Sequence, residues 1–157
     1  MGTAHRRLRY QQQDSAQTLA EGLAEYYAAN EGRVSPPVGL PPDSADLFRR
    51  HDVCHVIFGL DTSLADETLT DTRTMLSCDV GLRRYAAYLA TDAQAKAVFA
   101  QVGAWAIAWT TVLCLSRILR ACLQTLGMRK RWPWDPPQSY FARTLADLRG
   151  EFRIRVI

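Results

Sequence analysis

The spacing of apolar residues along this chain predicts mainly helices. Apolar side chains recur every three or four positions between polar breaks, a pattern typical of helices that bury one face. We expect helices over residues 14–30, from 43 or 44 to 58, from 63 to about 75, from 79 to 89, over the apolar stretch 97–126, and over 139–149. The last six residues alternate like a strand, but the chain offers no second strand to pair with them. The sequence therefore predicts an all-α fold, a compact helical bundle.

Capping residues and prolines mark the ends of the predicted elements. Asp14 and Gln17 have the spacing of a capping box, and Gly150 is expected to follow the last turn of the final helix. Residues 32–43 form a proline-rich loop, because proline cannot continue a helix. Residues 1–13 are expected to be flexible. All 157 residues are then one helical domain.

Composition and charge narrow the classes of function. The chain is 48% hydrophobic and 22% charged, and its net charge of +3 is too small to indicate nucleic-acid binding. Its four cysteines contain no CxxC pair and are too sparse for a disulfide-stapled secreted domain. The N-terminal segment is arginine-rich but has no apolar h-region, so no secretory signal is predicted. We expect a protein of the bacterial cytoplasm, with attachment to the inner face of the membrane as a further expectation.

The most specific motif is His51-Asp52-x-x-His55, followed after eleven residues by Glu67. Residues three or four positions apart share a helix face, so the three polar side chains of the motif project over one patch. His55 lies six residues before Asp61, and Glu67 lies six residues after it. A helical hairpin that turns near Asp61 would therefore place His55 and Glu67 opposite each other on its two helices. Imidazole nitrogens and carboxylate oxygens are ligands for a divalent cation, with zinc the first choice and non-haem iron the second. These four residues therefore predict a metal site.

Asp71 extends the pattern by one helical turn. It follows Glu67 by four residues, so we expect it to lie opposite His51 in the hairpin. There it could act as an outer-shell hydrogen-bond acceptor or as a candidate general base. Ser63 and Asp66 have capping-box spacing and would start the second helix of the hairpin. The plain alternative is that both histidines are hydrogen-bonded core residues and that the acids of the motif are solvated.

The motif resembles the signature of the coenzyme Q biosynthesis Coq-four family. That signature is His-Asp-x-x-His, eleven residues, then Glu, and Phe58-Gly59 is similar as well. Weaker similarity covers Lys130-Arg131-Trp132, Leu145-Ala146-Asp147-Leu148-Arg149, Glu151 and Ile154, so that about two thirds of the chain is included. The shorter chain and the proline-rich stretch ahead of the motif identify it as a divergent and short member.

The resemblance implies an all-helical fold, zinc held by the four motif residues, and peripheral membrane association. It also implies a role in ubiquinone biosynthesis, as a lyase that removes the ring carboxyl group of a polyprenylated hydroxybenzoate. The alternative is a non-catalytic protein that binds an isoprenoid or quinone lipid, or an assembly factor, with a structural metal. We also expect a homo-oligomer or a biosynthetic complex. A His-Asp phosphohydrolase is disfavoured, because its upstream histidine could only be His5.

The apolar stretch offers a place for a lipid. Twenty uncharged residues separate Lys96 from Arg117, about the length that spans a bilayer. Its glutamine, threonines and alanines carry little transfer energy, so we expect a buried central helix. Trp105 and Trp109 lie four residues apart and could wall a groove for an isoprenoid tail. The five basic residues within 117–131 could hold an anionic membrane surface.

Overall fold

The computed structural model describes residues 7–32, 34, 36 and 38–157. In these ranges the helices are α1 (Leu19–Ala29), α2 (Pro42–Phe58), α3 (Leu64–Ser77), α4 (Gly81–Thr91), α5 (Ala93–Val102), α6 (Ala104–Leu113), α7 (Leu115–Leu126) and α8 (Leu145–Phe152). Short 3-10 turns at Arg9–Gln11 and Gln138–Ala142 precede α1 and α8. The described ranges contain isolated β-bridges but no strand. The predicted all-α fold is confirmed.

Helix α3 lies at the centre of the helical packing. It contacts α2, α4, α6 and α7, whereas α1 contacts α2 and the two 3-10 turns. Because α3 touches so many neighbours, side chains from several helices converge around it.

Local caps explain where the first helices begin. The N-cap of α1 is Thr18 and not Asp14, because Thr18 and Glu21 form a reciprocal capping box. Helix α1 is therefore shorter than predicted. Helix α3 begins after Ser63, whose hydroxyl accepts a hydrogen bond from the backbone N–H of Asp66, as the spacing predicted.

Gly59 ends α2 and starts the turn into α3. Its φ of 72° is left-handed, a conformation that glycine adopts without steric cost. A Cβ atom at this position would lie 2.7 Å from Cγ1 of Val156. Both backbone conformation and space therefore require glycine at this turn.

Residues 7–13, expected to be flexible, lie against the core. Tyr10 is fully buried, and its hydroxyl donates to the carbonyl of Leu60 at 3.0 Å. Its backbone N–H donates to Glu25 of α1 at 3.0 Å. Residues 1–6, with His5, lie outside the described residues.

Arg149 of α8 joins this N-terminal segment to α2. The side chain is fully buried, and burial lowers its pKa to about 10. Its guanidinium donates to the carbonyls of Tyr10, Gln12, Val56 and Ile57. One side chain thus connects three separate segments of the chain.

The apolar stretch 97–126 does not form one buried central helix, so that prediction is wrong. Helices α5 and α6 meet at Gly103, where φ is 85° and the chain bends by 77°. No residue of α6 is fully buried. Within the described ranges, no single helix is long and apolar enough to cross a membrane, although the bent pair Ala95–Val102 and Ala104–Leu113 passes that test by length and composition.

The C-terminal segment also differs from its predicted form. Gly150 lies inside α8 instead of following it, and Arg153, with φ 56°, ends the helix. The residues after Arg153 belong to no strand, and the carbonyl of Arg155 accepts a hydrogen bond from Arg73 of α3 at 2.9 Å. Tertiary contacts therefore determine the conformation of this alternating sequence.

Candidate metal centre

Helices α2 and α3 form an antiparallel pair that carries the sequence motif. His55 Nε2 lies 3.3 Å from Glu67 Oε2. His51 Nε2 lies 3.3 Å from Asp71 Oδ1. Both pairs are centred on Asp61 in the sequence, so the helices run in opposite directions from a turn near that residue. The structure thus brings His55 close to Glu67 and His51 close to Asp71, as the sequence spacing predicted.

His51, His55 and Glu67 form a group able to hold a metal ion. One ligand atom from each lies within 4.8 Å of the others, and His51 Nε2 is 4.0 Å from Glu67 Oε2. Ligands about 2.0–2.2 Å from a tetrahedral zinc ion stand roughly 3.4 Å apart. The spacing of His55 and Glu67 already meets this requirement, and closing the widest separation in the group, 4.8 Å, to this value takes a shift of about 1.4 Å.

Hydrogen bonding leaves one ring nitrogen of His55 with a lone pair for an ion. Thr70 Oγ1 donates its only hydrogen to the carbonyl of Asp66 at 2.9 Å and lies 3.2 Å from His55 Nδ1. In its neutral form the ring then donates from Nδ1 to this hydroxyl, which leaves the lone pair on Nε2. This Nε2 is buried and makes no hydrogen bond to any described residue. Nε2 is thus a buried acceptor that has no hydrogen-bond donor and faces a carboxylate. A cation between the two groups would satisfy both, so these residues fit a metal ion.

The charges around His51 also suit a cation site. Burial disfavours the protonated ring, but the hydrogen bond to Asp71 and the charges of Glu67, Asp71 and Asp52 outweigh it and raise the pKa of His51 to about 10. Burial raises the pKa of Glu67, but the charges of His55 and His51 and the contact with His55 outweigh it and lower that pKa overall. The carboxylates therefore favour positive charge at the centre, whether a ring proton or a metal ion carries it.

Asp52 lies beside this group without belonging to it. Its Oδ2 accepts a hydrogen bond from the hydroxyl of Tyr27 at 2.8 Å, and the converging ligand atoms come from the other three motif residues. Burial raises the pKa of Asp52 to about 6, against the opposing effects of His51, Tyr27 and His55. The hydrogen bond from Tyr27 of α1 thus holds Asp52 outside the group formed by His51, His55 and Glu67.

The sequence interpretation missed the partners that orient these side chains. Tyr26 stacks on His55 with ring centroids 5.2 Å apart, and Tyr85 donates to Asp71 Oδ1 at 2.7 Å. Helical spacing could have indicated Thr70, which follows Glu67 by three residues and shares its face. No local signal indicated Tyr85, which reaches the site from α4.

A cavity of about 520 Å³ adjoins the three-residue group. His51, Asp52, Glu67 and Asp71 line its polar end. Its walls are mainly apolar and include Leu47, Phe48, Leu89, Phe99 and Ile107. This volume is typical of sites for small organic ligands. The candidate metal centre therefore opens onto a space for a largely apolar molecule.

Trp105 and Trp109 do not line this cavity, in contrast to the groove that the sequence predicted for them. They are 80% and 54% exposed, and their rings stack on each other with centroids 6.4 Å apart. Ile107, between them on α6, faces the cavity instead. The cavity therefore meets α6 at Ile107 and not along the two tryptophans.

Comparisons with known proteins identify no family for the chain. No protein-family model matches it, and no match was found among curated proteins or solved structures. The resemblance to the Coq-four family therefore stays a hypothesis from the sequence motif.

Proposed function

We propose that this protein is a metal-dependent lyase of ubiquinone biosynthesis that removes the ring carboxyl group of a polyprenylated hydroxybenzoate. The supporting observation is that His51 and Glu67 of the candidate metal group, together with Asp52 and Asp71, line a mainly apolar cavity, whereas His55 is fully buried beside them and does not line it. A ligand matched to this space has an anionic oxygen at one end and a long apolar chain at the other. A prenylated aromatic acid has both features.

The residues at the polar end have separate roles in this proposal. His51, His55 and Glu67 hold the ion, which when bound supplies Lewis acidity to a carboxylate or phenolic oxygen. Apolar walls exclude water and so strengthen the electrostatic interactions at that end. Zinc is the first choice for this ligand set and iron the second.

Asp71 is the candidate for proton transfer. Loss of CO₂ breaks the bond between the ring carbon and the carboxyl carbon, leaves the electron pair on the ring, and requires a proton in place of the carboxyl group, which Asp71 would take from water and pass to the ring carbon. Asp71 lines the cavity, and the hydroxyl of Tyr85 holds its Oδ1 in place. General acid–base groups of this kind contribute about 10²–10⁴-fold to a rate.

The proposal is tested with metal-loaded protein and a polyprenylated hydroxybenzoate labelled in its carboxyl group. We expect labelled CO₂ from the wild-type protein, and a rate at least ~100-fold lower for Asp71→Asn at unchanged zinc content. Ala95→Leu narrows the cavity away from the ligands and is expected to raise KM more than it lowers kcat. Zinc-loaded and iron-loaded wild-type protein that releases no CO₂, with or without oxygen, would contradict the lyase.

A non-catalytic lipid-binding or assembly protein is the second candidate function. The full burial of His55 favours it, since closed metal sites are typical of structural ions, and an ion here would join α2 to α3. This alternative predicts that isoprenoid lipid copurifies with the protein and is identified by mass spectrometry. It also predicts that His55→Ala lowers stability while lipid binding by the folded fraction persists.

A further inference from the structure

Two cysteines that are distant in the sequence meet inside the protein. Cys54 of α2 and Cys78, which directly follows α3, have Sγ atoms 3.8 Å apart. Both side chains are fully buried, and both are free thiols. The group of His51, His55 and Glu67 does not include this pair. The fold therefore places two soft metal ligands together at a second position.

The spacing of the two sulfurs fits thiolates bonded to one metal ion. With bonds of about 2.3 Å, two sulfurs on one ion lie roughly 3.8 Å apart at a tetrahedral angle and roughly 4.6 Å apart in a linear arrangement. Structural zinc and iron–sulfur sites use four protein ligands, whereas Cu(I) prefers soft thiolates and is stable with two. In the described part of the chain, no third histidine, cysteine or carboxylate joins the pair. The donor set therefore favours Cu(I).

Arg73 of α3 brings a buried positive charge to this region. Its Nη2 donates to the side chain of Gln124 and to the carbonyl of Arg155, whereas Nε and Nη1 have no partner among the described residues. Burial lowers the pKa of Arg73 to about 10, and the nearby thiols of Cys78 and Cys122 act in the opposite direction. None of these partners is a carboxylate. A buried cation without a counter-charge is costly, so a negative charge at the cysteine pair would stabilise it.

The charge of the occupied pair distinguishes a monovalent ion from the other states of two cysteines. One Cu(I) ion replaces the two thiol protons, which leave to solvent, and the resulting bis-thiolate complex carries one negative charge. This charge balances the single positive charge of Arg73. A disulfide is neutral, and so is Zn²⁺ with two thiolates, so either would leave the guanidinium without a counter-charge. Charge balance therefore favours Cu(I) as well.

We propose that Cys54 and Cys78 form a second metal site, which binds one Cu(I) ion as a bis-thiolate complex next to Arg73. The bound ion joins α2 to the end of α3. The hydroxyl of Thr74 is fully buried, has no hydrogen bond within the described residues and lies beside Cys54, so it can donate to the thiolate. The copper site depends neither on the proposed lyase activity nor on an ion at the other centre.

The test titrates the full chain with Cu(I) under anaerobic conditions, in competition with the chromophoric chelator bicinchoninate. We expect one Cu(I) per chain, and an affinity lower by at least ~100-fold for Cys54→Ser and for Cys78→Ser, because each removes a ligand outright. Arg73→Met removes the balancing charge and is expected to lower the affinity about tenfold, whereas Arg73→Lys should retain most of it. Copper K-edge X-ray absorption of the wild-type complex should show two sulfur ligands at about 2.2–2.3 Å.

Matched controls separate this site from loss of fold and from the other centre. Cys114→Ser replaces a buried cysteine outside the pair and should leave Cu(I) affinity within about threefold of the wild-type value. Glu67→Gln alters the other centre and should leave Cu(I) affinity unchanged. Far-UV circular dichroism checks that each variant folds, and the wild-type copper spectrum decides the ligands if a cysteine variant does not. Nitrogen or oxygen ligands in that spectrum, or wild-type protein that binds Cu(I) no more tightly than a folded Cys54→Ser/Cys78→Ser variant, would overturn the proposal.

Discussion

Arg149→Ala is expected to lower the free energy of unfolding by about 3–5 kcal/mol, a large effect for one substitution. The buried guanidinium donates to the carbonyls of Tyr10 and Gln12 in the N-terminal segment and of Val56 and Ile57 in α2. Each hydrogen bond to a charged group contributes about 1.5–3 kcal/mol, and a buried carbonyl left without a partner adds a desolvation cost. Urea denaturation measures the loss, and Tm should fall by roughly 10 °C.

Two further variants show whether the geometry of Arg149 or only its charge matters. Arg149→Lys keeps a positive charge but replaces the planar fork with a single ammonium group, so it should lose much of the same stability. Arg155→Met removes an exposed arginine nearby in the sequence and should change the free energy of unfolding by under about 0.5 kcal/mol. A lysine variant as stable as the wild type would show that the network does not depend on the guanidinium.

His55→Ala is expected to lower the affinity for Zn²⁺ by more than ~100-fold, because it removes a ligand outright. Loss of an outer-shell partner alone typically costs about 10–100-fold. Thr70→Val is therefore expected to lower the affinity for Zn²⁺ by about 10–100-fold. The hydroxyl of Thr70 contacts Nδ1 of His55 and so determines that the other ring nitrogen, Nε2, faces Glu67 with its lone pair. Competition against a chromophoric chelator measures both affinities.

The matched control for these variants is Thr74→Val. Thr74 lies one turn beyond Thr70 on α3 and is equally buried, but its hydroxyl makes no hydrogen bond to His51, His55 or Glu67. Its replacement should leave Zn²⁺ affinity within about threefold of the wild-type value. If Thr70→Val and Thr74→Val weaken Zn²⁺ binding equally, Thr70 has no specific role in orienting His55.

The centre of the site could be predicted from sequence because its geometry is local. Helical rise is regular, so equal spacing of His55 and Glu67 about Asp61 suffices to bring them level once a hairpin forms. The same reasoning brings Asp71 to His51. Helical spacing does not determine the rotamer of a carboxylate side chain. The hydroxyl of Tyr27 in α1 donates to Asp52 and holds it outside the group of His51, His55 and Glu67.

Long-range contacts explain what the sequence did not reveal. Periodicity shows that α7 has a leucine face, but the pairing of Arg117 with Asp66 determines that this face points outward. The break at Gly103 likewise divides a stretch that apolar content alone predicted as one buried helix. Arg149 gave no sign of full burial, because its four acceptors are backbone carbonyls distant in sequence.

Zinc K-edge X-ray absorption of the purified full chain with one equivalent of Zn²⁺ tests the metal centre most directly. The predicted result is one tightly bound ion per chain, nitrogen and oxygen ligands at about 2.0–2.2 Å, and outer-shell scattering from two imidazoles. Sulfur ligands at about 2.3 Å would instead place the ion on thiolates, such as the Cys54 and Cys78 pair with Sγ atoms 3.8 Å apart. That result, or no tightly bound ion, would contradict a metal centre between α2 and α3.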